Sequence, residues 1–300
     1  VAHAPSPLVG NSFRLGYRFQ RYWDNSMAYA FWSAEVGAGL FAVGCYLKLV
    51  PAMVVGLVLV ATLKPYFHLA HMGVPAKSWR AILRPDRSWI SRGALGIGVL
   101  VGAGALHVLD ASLGGRLPAT LGMLVAGVAA AAALLVMCYQ GLAMASSESF
   151  ALWATPLVPV ASFLYSLTAG TFGAWLLGGS AAEAAAPLPG LTAALLAGDL
   201  AVLAGLLALA RRKSSGGAFS VGLLTGGEYA TAFFGLVVLV GLVVPLALTT
   251  IAPGRPGVVG LATTALLAGF LAFRLLVFKA AVFEPIADAL PGSLGLALRR

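Results

Sequence analysis

Eight apolar runs, each long enough to cross a lipid bilayer, constrain this chain more than any other feature. They cover about residues 27–50, 52–73, 93–112, 118–146, 150–178, 189–211, 223–250 and 257–281. A spanning helix needs roughly 20 mostly apolar residues, because hydrocarbon offers no partner to an open backbone N–H or C=O. None of the runs alternates with the two-residue period of a β-barrel strand. Gly, Ala and Leu dominate them, and small residues let helix backbones approach closely in lipid. The expected fold is all-α: a polytopic integral membrane protein of eight transmembrane helices, arranged as two four-helix bundles. No internal repeat marks that division. The expected organisation is an interfacial or docking segment (1–26), a transmembrane domain (27–284) and a C-terminal tail (285–300).

The charge content agrees. Only 10% of the 300 residues are charged, against about 25% in a soluble domain. So few charges cannot solvate a globule of 30.6 kDa. The opening stretch is polar and basic, so no cleavable signal peptide is expected. The net charge of +9 reads as membrane topology rather than nucleic-acid binding. One side of the membrane collects Arg14, Arg18, Arg21, Lys77, Arg80, Arg84, Arg87, Arg92, Arg211, Arg212, Lys213, Arg299 and Arg300. The other holds Lys48, Arg116 and Arg255 near its short loops. The positive-inside rule then puts both termini in the cytoplasm, beneath a bacterial or archaeal cytoplasmic (inner) membrane. The same charges also suit an acidic protein partner. Cys45 and Cys138 form no metal or redox spacing and read as small buried hydrophobes.

Polar groups at membrane depth are costly and tend to mark function. Counting 1.5 Å per residue, Glu35 and Lys64 fall at similar depth on successive helices. A Glu35–Lys64 pair is expected, serving either as a structural ion pair or in proton and quinone chemistry. Asn25, Tyr29, Trp32, His68, Tyr139, Glu228, Tyr229 and Arg274 gather in the same leaflet. Asp199, near the middle of the sixth helix, stands apart. It either extends a proton path or bonds a neighbouring hydroxyl or water. His107 lies roughly 15 Å in depth from His68, too far for one haem iron, and His68 and His71 share a helix. A chain without haem or metal is expected.

Two segments combine arginine with aromatic residues. "WRAILRPDRSWISRG" (79–93) reads as a loop for docking or for anchoring at the headgroups. "SFRLGYRFQRYWDN" (12–25) fits an interfacial helix or a docking surface. Pro156 and Pro159 are expected to break the fifth helix early.

Three longer stretches carry a family resemblance. "HLAHMGVPAKSWRAILRPDRSWISRG" resembles the loop after the second helix of the NrfD/polysulfide-reductase membrane subunits. "YQGLAMASSESFALWATPLVPVASFLYSLTAG" resembles that family's Tyr-x-Gly, tryptophan and double-proline stretch, and "GGEYATAFFGLVVLVGLVVPL" its Gly-x-Tyr helix. The related dimethyl-sulfoxide-reductase anchors share the Ser-Trp-x-Ser-Arg loop. The resemblance implies a haem-free anchor that reacts with menaquinone or ubiquinone. Its expected partners are a four-cluster iron–sulfur subunit and a catalytic subunit of molybdopterin type, with no nucleic acid.

By that resemblance Asn25 and Tyr139 stand where the family contacts quinone. Ala28 or Tyr29 stands where its first-helix histidine would be. Quinone contacts are therefore expected from Asn25, Tyr29, Tyr139 and His68, and proton relay from Glu35, Lys64, Glu228, Asp199 and Arg274. Partner docking is expected from Trp79, Arg80, Arg84, Arg87, Trp89 and Arg92. Two other readings stay open: an ion- or proton-coupled secondary transporter built on Glu35, Lys64 and Asp199, and a purely structural membrane anchor.

Overall fold

A computed structural model describes residues 17–284; residues 1–16, with Arg14, and the tail 285–300, with Arg299 and Arg300, lie outside the described residues. Among the described residues there are eight helices long and apolar enough to cross a membrane. They are Asn25–Leu47, Val50–His71, Trp89–Ser112, Ala119–Ala145, Leu157–Ala185, Leu188–Lys213, Ala230–Ile251 and Pro256–Lys279. We call them spans 1 to 8. The chain is an all-α polytopic membrane protein.

Local chemistry sets the ends of the spans. Asp24 caps span 1 by accepting from the Met27 N–H, at 3.2 Å, which satisfies one of the otherwise open donors. Lys48 closes that span in the left-handed region (φ 56°), and Pro51 sits in the first turn of span 2. Ser88 caps span 3.

Four expectations shift. Span 3 begins at Trp89 rather than 93, so the end of the basic loop is helix. Span 5 begins at Leu157 rather than 150. Pro156 and Pro159 start this helix instead of breaking it, because proline lacks the N–H that a first turn leaves unpaired anyway. Span 7 begins at Ala230 rather than 223, because a separate short helix, Ser215–Thr225, capped by Ser214, intervenes. Finally, the described part of the N-terminal segment is not an interfacial helix. It is a strap: Gln20 N–H donates to Ala281 O at 3.0 Å and Phe283 N–H to Arg18 O at 2.8 Å.

Two prolines inside spans are met in the same way. Pro65 follows a widened π-helical stretch, Leu59–Leu63, and Pro245 follows another, Phe233–Val243. A proline ring clashes with the carbonyl four residues back, and a wider turn relieves that clash.

Spans 1–4 pack in a ring, each against its neighbours, and spans 5–8 do the same. Spans 1 and 5 form the seam between the two bundles. They cross at Gly39 and Gly170, where a methyl on Gly39 would lie 1.9 Å from Ser166 O and one on Gly170 would lie 2.3 Å from Gly39 O. The close crossing explains why span 1 is buried on nearly every side. Polar groups on span 1 must therefore find partners inside the protein.

Candidate functional site

Within the first bundle, toward the end where span 2 finishes and span 3 starts, lies a cavity of about 180 Å³. Met27 and Phe31 of span 1 line it, with Lys64, Pro65 and His68 of span 2. Ile90, Ala94 and Ile97 of span 3 and Tyr139 of span 4 complete the walls. The roof is the 3-10 segment Pro75–Ile82, which contributes Ser78, Ala81 and Ile82. Ile82 and Ile90 are also exposed on the outer surface, so the cavity has an apolar rim.

The walls are apolar apart from a few polar groups. Lys64 is 4% exposed. Its Nζ lies 4.9 Å from the centroid of the Phe31 ring and 5.7 Å from that of Tyr139. Aromatic faces attract an ammonium, but they do not replace a hydrogen-bond acceptor. Among the described residues neither Lys64 Nζ nor His68 Nδ1 has a hydrogen-bond partner. Leaving such groups buried and unsatisfied is costly.

The tyrosine is held by backbone shape. Gly93 ends the Ser-Trp-Ile-Ser-Arg-Gly stretch, and a methyl there would lie 2.0 Å from Tyr139 Cδ2. Only a glycine lets this ring approach span 3 so closely. The next residue, Gln140, donates from Nε2 to Phe31 O at 3.2 Å. Gly141 faces Pro159 of span 5, 2.4 Å from where its methyl would be. The three consecutive residues thus fix span 4 against spans 3, 1 and 5.

Expected pairs change partners. Glu35 does not pair with Lys64. Its carboxylate accepts two bonds from Arg274, at 2.8 Å from Nε and 2.6 Å from Nη2. Arg274 Nη2 also donates to Ser162 Oγ at 2.7 Å. All three groups are buried. The guanidinium fork matches a carboxylate in two parallel bonds, which a lysine ammonium cannot do. The pair joins span 1 to spans 8 and 5, across the seam between the bundles. As a closed pair it is a clamp between bundles, while Lys64 is left facing the cavity.

The remaining expected site residues scatter. Asn25 and Glu228 are exposed and share a different, wider cleft of about 600 Å³ with Gln20, Asp24 and Lys279. Tyr139 and His68 therefore meet in the cavity without Asn25. Tyr29 packs its ring on Phe67, with centroids 5.2 Å apart. Asp199 lies in the second bundle, bonded to Thr168. His71 bonds Asp24 at 3.0 Å across the ends of spans 1 and 2. Among the described residues no cluster of three or more His, Cys, Asp or Glu side chains is placed to hold a metal ion.

The basic loop has two faces. Trp79, Arg80, Arg84 and Arg87 point outward and are exposed. Arg92 and Trp89 instead hold the loop together. Arg92 donates to Pro85 O at 2.7 Å and to Asp86 O at 3.0 Å, and lies 4.4 Å from the centroid of the Trp89 ring. Ser91 Oγ donates to Ala81 O and ties the cavity roof to span 3. Arg87 pairs with its neighbour Asp86 at 3.2 Å.

Sequence reasoning missed Phe31, Gln140, Ser162 and the contact made by Gly93. Helical spacing gave a clue to the first: Phe31 lies four residues before Glu35 and one turn after Met27. Nothing in the sequence paired Ser162 with Arg274. The chain matches no family model and no curated protein.

Proposed function

We propose that this chain is the quinone-reactive membrane subunit of a respiratory oxidoreductase complex. It exchanges electrons between a lipid-soluble quinone and an iron–sulfur partner, which serves a molybdopterin-type catalytic subunit. The observation that carries the reading is the pair of buried, unpartnered nitrogens, Lys64 Nζ and His68 Nδ1, on the wall of an otherwise apolar cavity. A quinone offers an apolar ring and two carbonyl oxygens that only accept. Apolar pockets with a few well-placed polar groups are the usual sites for such molecules.

The bound quinone supplies two-electron, two-proton redox chemistry. In this reading Lys64 donates a hydrogen bond to one carbonyl oxygen, held in place by the Phe31 and Tyr139 rings. His68, one turn farther along span 2, serves the same side of the ring or passes a proton toward it. Met27, Phe31 and Ile97 exclude water, and the Ile82–Ile90 rim lets an isoprenoid tail pass to lipid. The outer face of the basic loop, with Trp79, Arg80, Arg84 and Arg87, docks the partner directly above the cavity roof. The basic side is assigned to the cytoplasm of a bacterial or archaeal cell.

Photolabelling the purified chain with an azido-quinone tests this reading without any partner. Label is expected on peptides bearing His68 or Tyr139. Lys64→Met should reduce its yield by about tenfold or more, since one hydrogen bond from a charged donor supplies about 1.5–3 kcal/mol. Label confined to other surfaces, or a yield that ignores Lys64→Met, would overturn the proposal in favour of a transporter or a structural anchor.

A further inference from the structure

Asp199 sits near the midpoint of span 6, in the second bundle, and its side chain is fully buried. Span 5 brings two groups to it. Thr168 Oγ lies 2.7 Å from Asp199 Oδ2, and Tyr165 lies within electrostatic range. The helix Ser215–Thr225 and span 7, which also pack against span 6, carry no titratable side chain. Among the described residues no Lys, Arg or His comes within 4.0 Å of the Asp199 carboxyl. Asp199 Oδ1 has no hydrogen-bond partner there, and neither has the Tyr165 hydroxyl.

The Thr168 hydroxyl has one proton and two neighbours. Its Oγ lies 2.9 Å from Leu164 O as well as 2.7 Å from Asp199 Oδ2. A backbone carbonyl can only accept. When the threonine proton serves Leu164, the proton in the second contact has to come from Asp199. If the threonine proton turned to Asp199 instead, an ionised carboxylate would have one neutral donor for two oxygens at the centre of the membrane. An uncompensated charge at that depth is costly. Both arrangements favour the acid form.

We propose that Asp199 is a proton-binding site at the middle of the membrane, a neutral acid that donates from Oδ2 to Thr168 Oγ. The bound species is a proton rather than a metal cation. Hard cations gather about six or more oxygen ligands, and Asp199, Thr168 and Tyr165 supply too few. Apolar rings separate this site from the clamp between the bundles. The Tyr165 ring stacks on Phe270 and Phe273, at 4.7 and 5.1 Å. The Arg274 guanidinium lies 5.5 Å from the centroids of the same two rings and bonds Ser162 and Glu35. The protonated state of Asp199 does not rest on the function proposed above.

Infrared difference spectroscopy on the full chain in lipid nanodiscs tests the site directly. The spectrum of the unaltered protein minus that of Asp199→Asn at pH 7 should show the C=O band of a protonated carboxyl, shifted by D₂O. Carboxylate bands in its place would overturn the proposal. So would a protonated band that is lost when sodium replaces potassium, since that would mark a cation site. Should Asp199→Asn not fold, Thr168→Val removes the acceptor while keeping the acid. The same band should then move to higher frequency, and an unmoved band would overturn the proposal. Lys64→Met should leave the band unchanged. Failure of azido-quinone labelling would leave it unchanged as well, so the two proposals fail separately.

Discussion

Gly93→Ala offers a sharp test of how the cavity is built. The added methyl would lie 2.0, 2.1 and 2.5 Å from Tyr139 Cδ2, Cε2 and Cγ. Carbon atoms in ordinary contact sit about 3.5–4.0 Å apart, so the ring must retreat by roughly 1.5 Å or the two spans must separate. Overpacking of this kind costs about 1–3 kcal/mol. Tyr139 lines the cavity, so its ring can retreat into that space, beside Lys64. A ligand that occupies the cavity must push it back, so the strain reappears as lost affinity of about 5- to 150-fold. Stability should fall by less than this, because the higher helix propensity of alanine offsets up to about 1 kcal/mol of the strain. Gly98, on the same span, has nothing within 4 Å of its added methyl. Gly98→Ala is therefore the matched control, with unchanged affinity and equal or higher stability. Titration of a short-chain quinone analogue into both variants, with thermal unfolding run in parallel, reads the two effects. An affinity within twofold of the unaltered protein in a folded Gly93→Ala variant would refute the argument that Tyr139 is seated by this contact.

Three further outcomes follow from the same geometry. Arg274→Met should lower stability by about 3–5 kcal/mol, because Glu35 is left buried and unpaired; adding Glu35→Gln should recover much of that loss in a double-mutant cycle of unfolding midpoints. Lys64→Met should leave the unfolding midpoint unchanged or raise it, since the lost Nζ has no partner among the described residues, while ligand affinity falls; a large drop in midpoint would show that Lys64 holds the fold instead. Arg92→Lys removes the planar guanidinium that stacks on Trp89 and reaches two carbonyls, and should speed tryptic cleavage after Arg87 severalfold without changing the helix content seen by circular dichroism.

The number and kind of the spans were legible in the sequence, because hydrocarbon demands long apolar helices and lipid-crossing length is a local property. The sequence also set apart the basic loop and nominated Lys64, His68 and Tyr139, since polar groups are rare in such runs. Span ends at prolines were harder to read. Pro156 and Pro159 look like breakers in a string of letters but serve as starters in a first turn. Partner choice was not local at all. Glu35 sits at the right depth for both Lys64 and Arg274, and depth is all that a count of residues gives. The rotation of each helix about its own axis, fixed where Gly39 meets Gly170 at the seam, turns Glu35 toward spans 5 and 8. That rotation gives the carboxylate to Arg274 and leaves Lys64 in the cavity. The same tertiary packing places Asn25 in one cleft and Tyr139 in another, although both lie toward the basic side. One-dimensional hydropathy fixes how deep a residue lies; only the packing of helix against helix decides which way it faces.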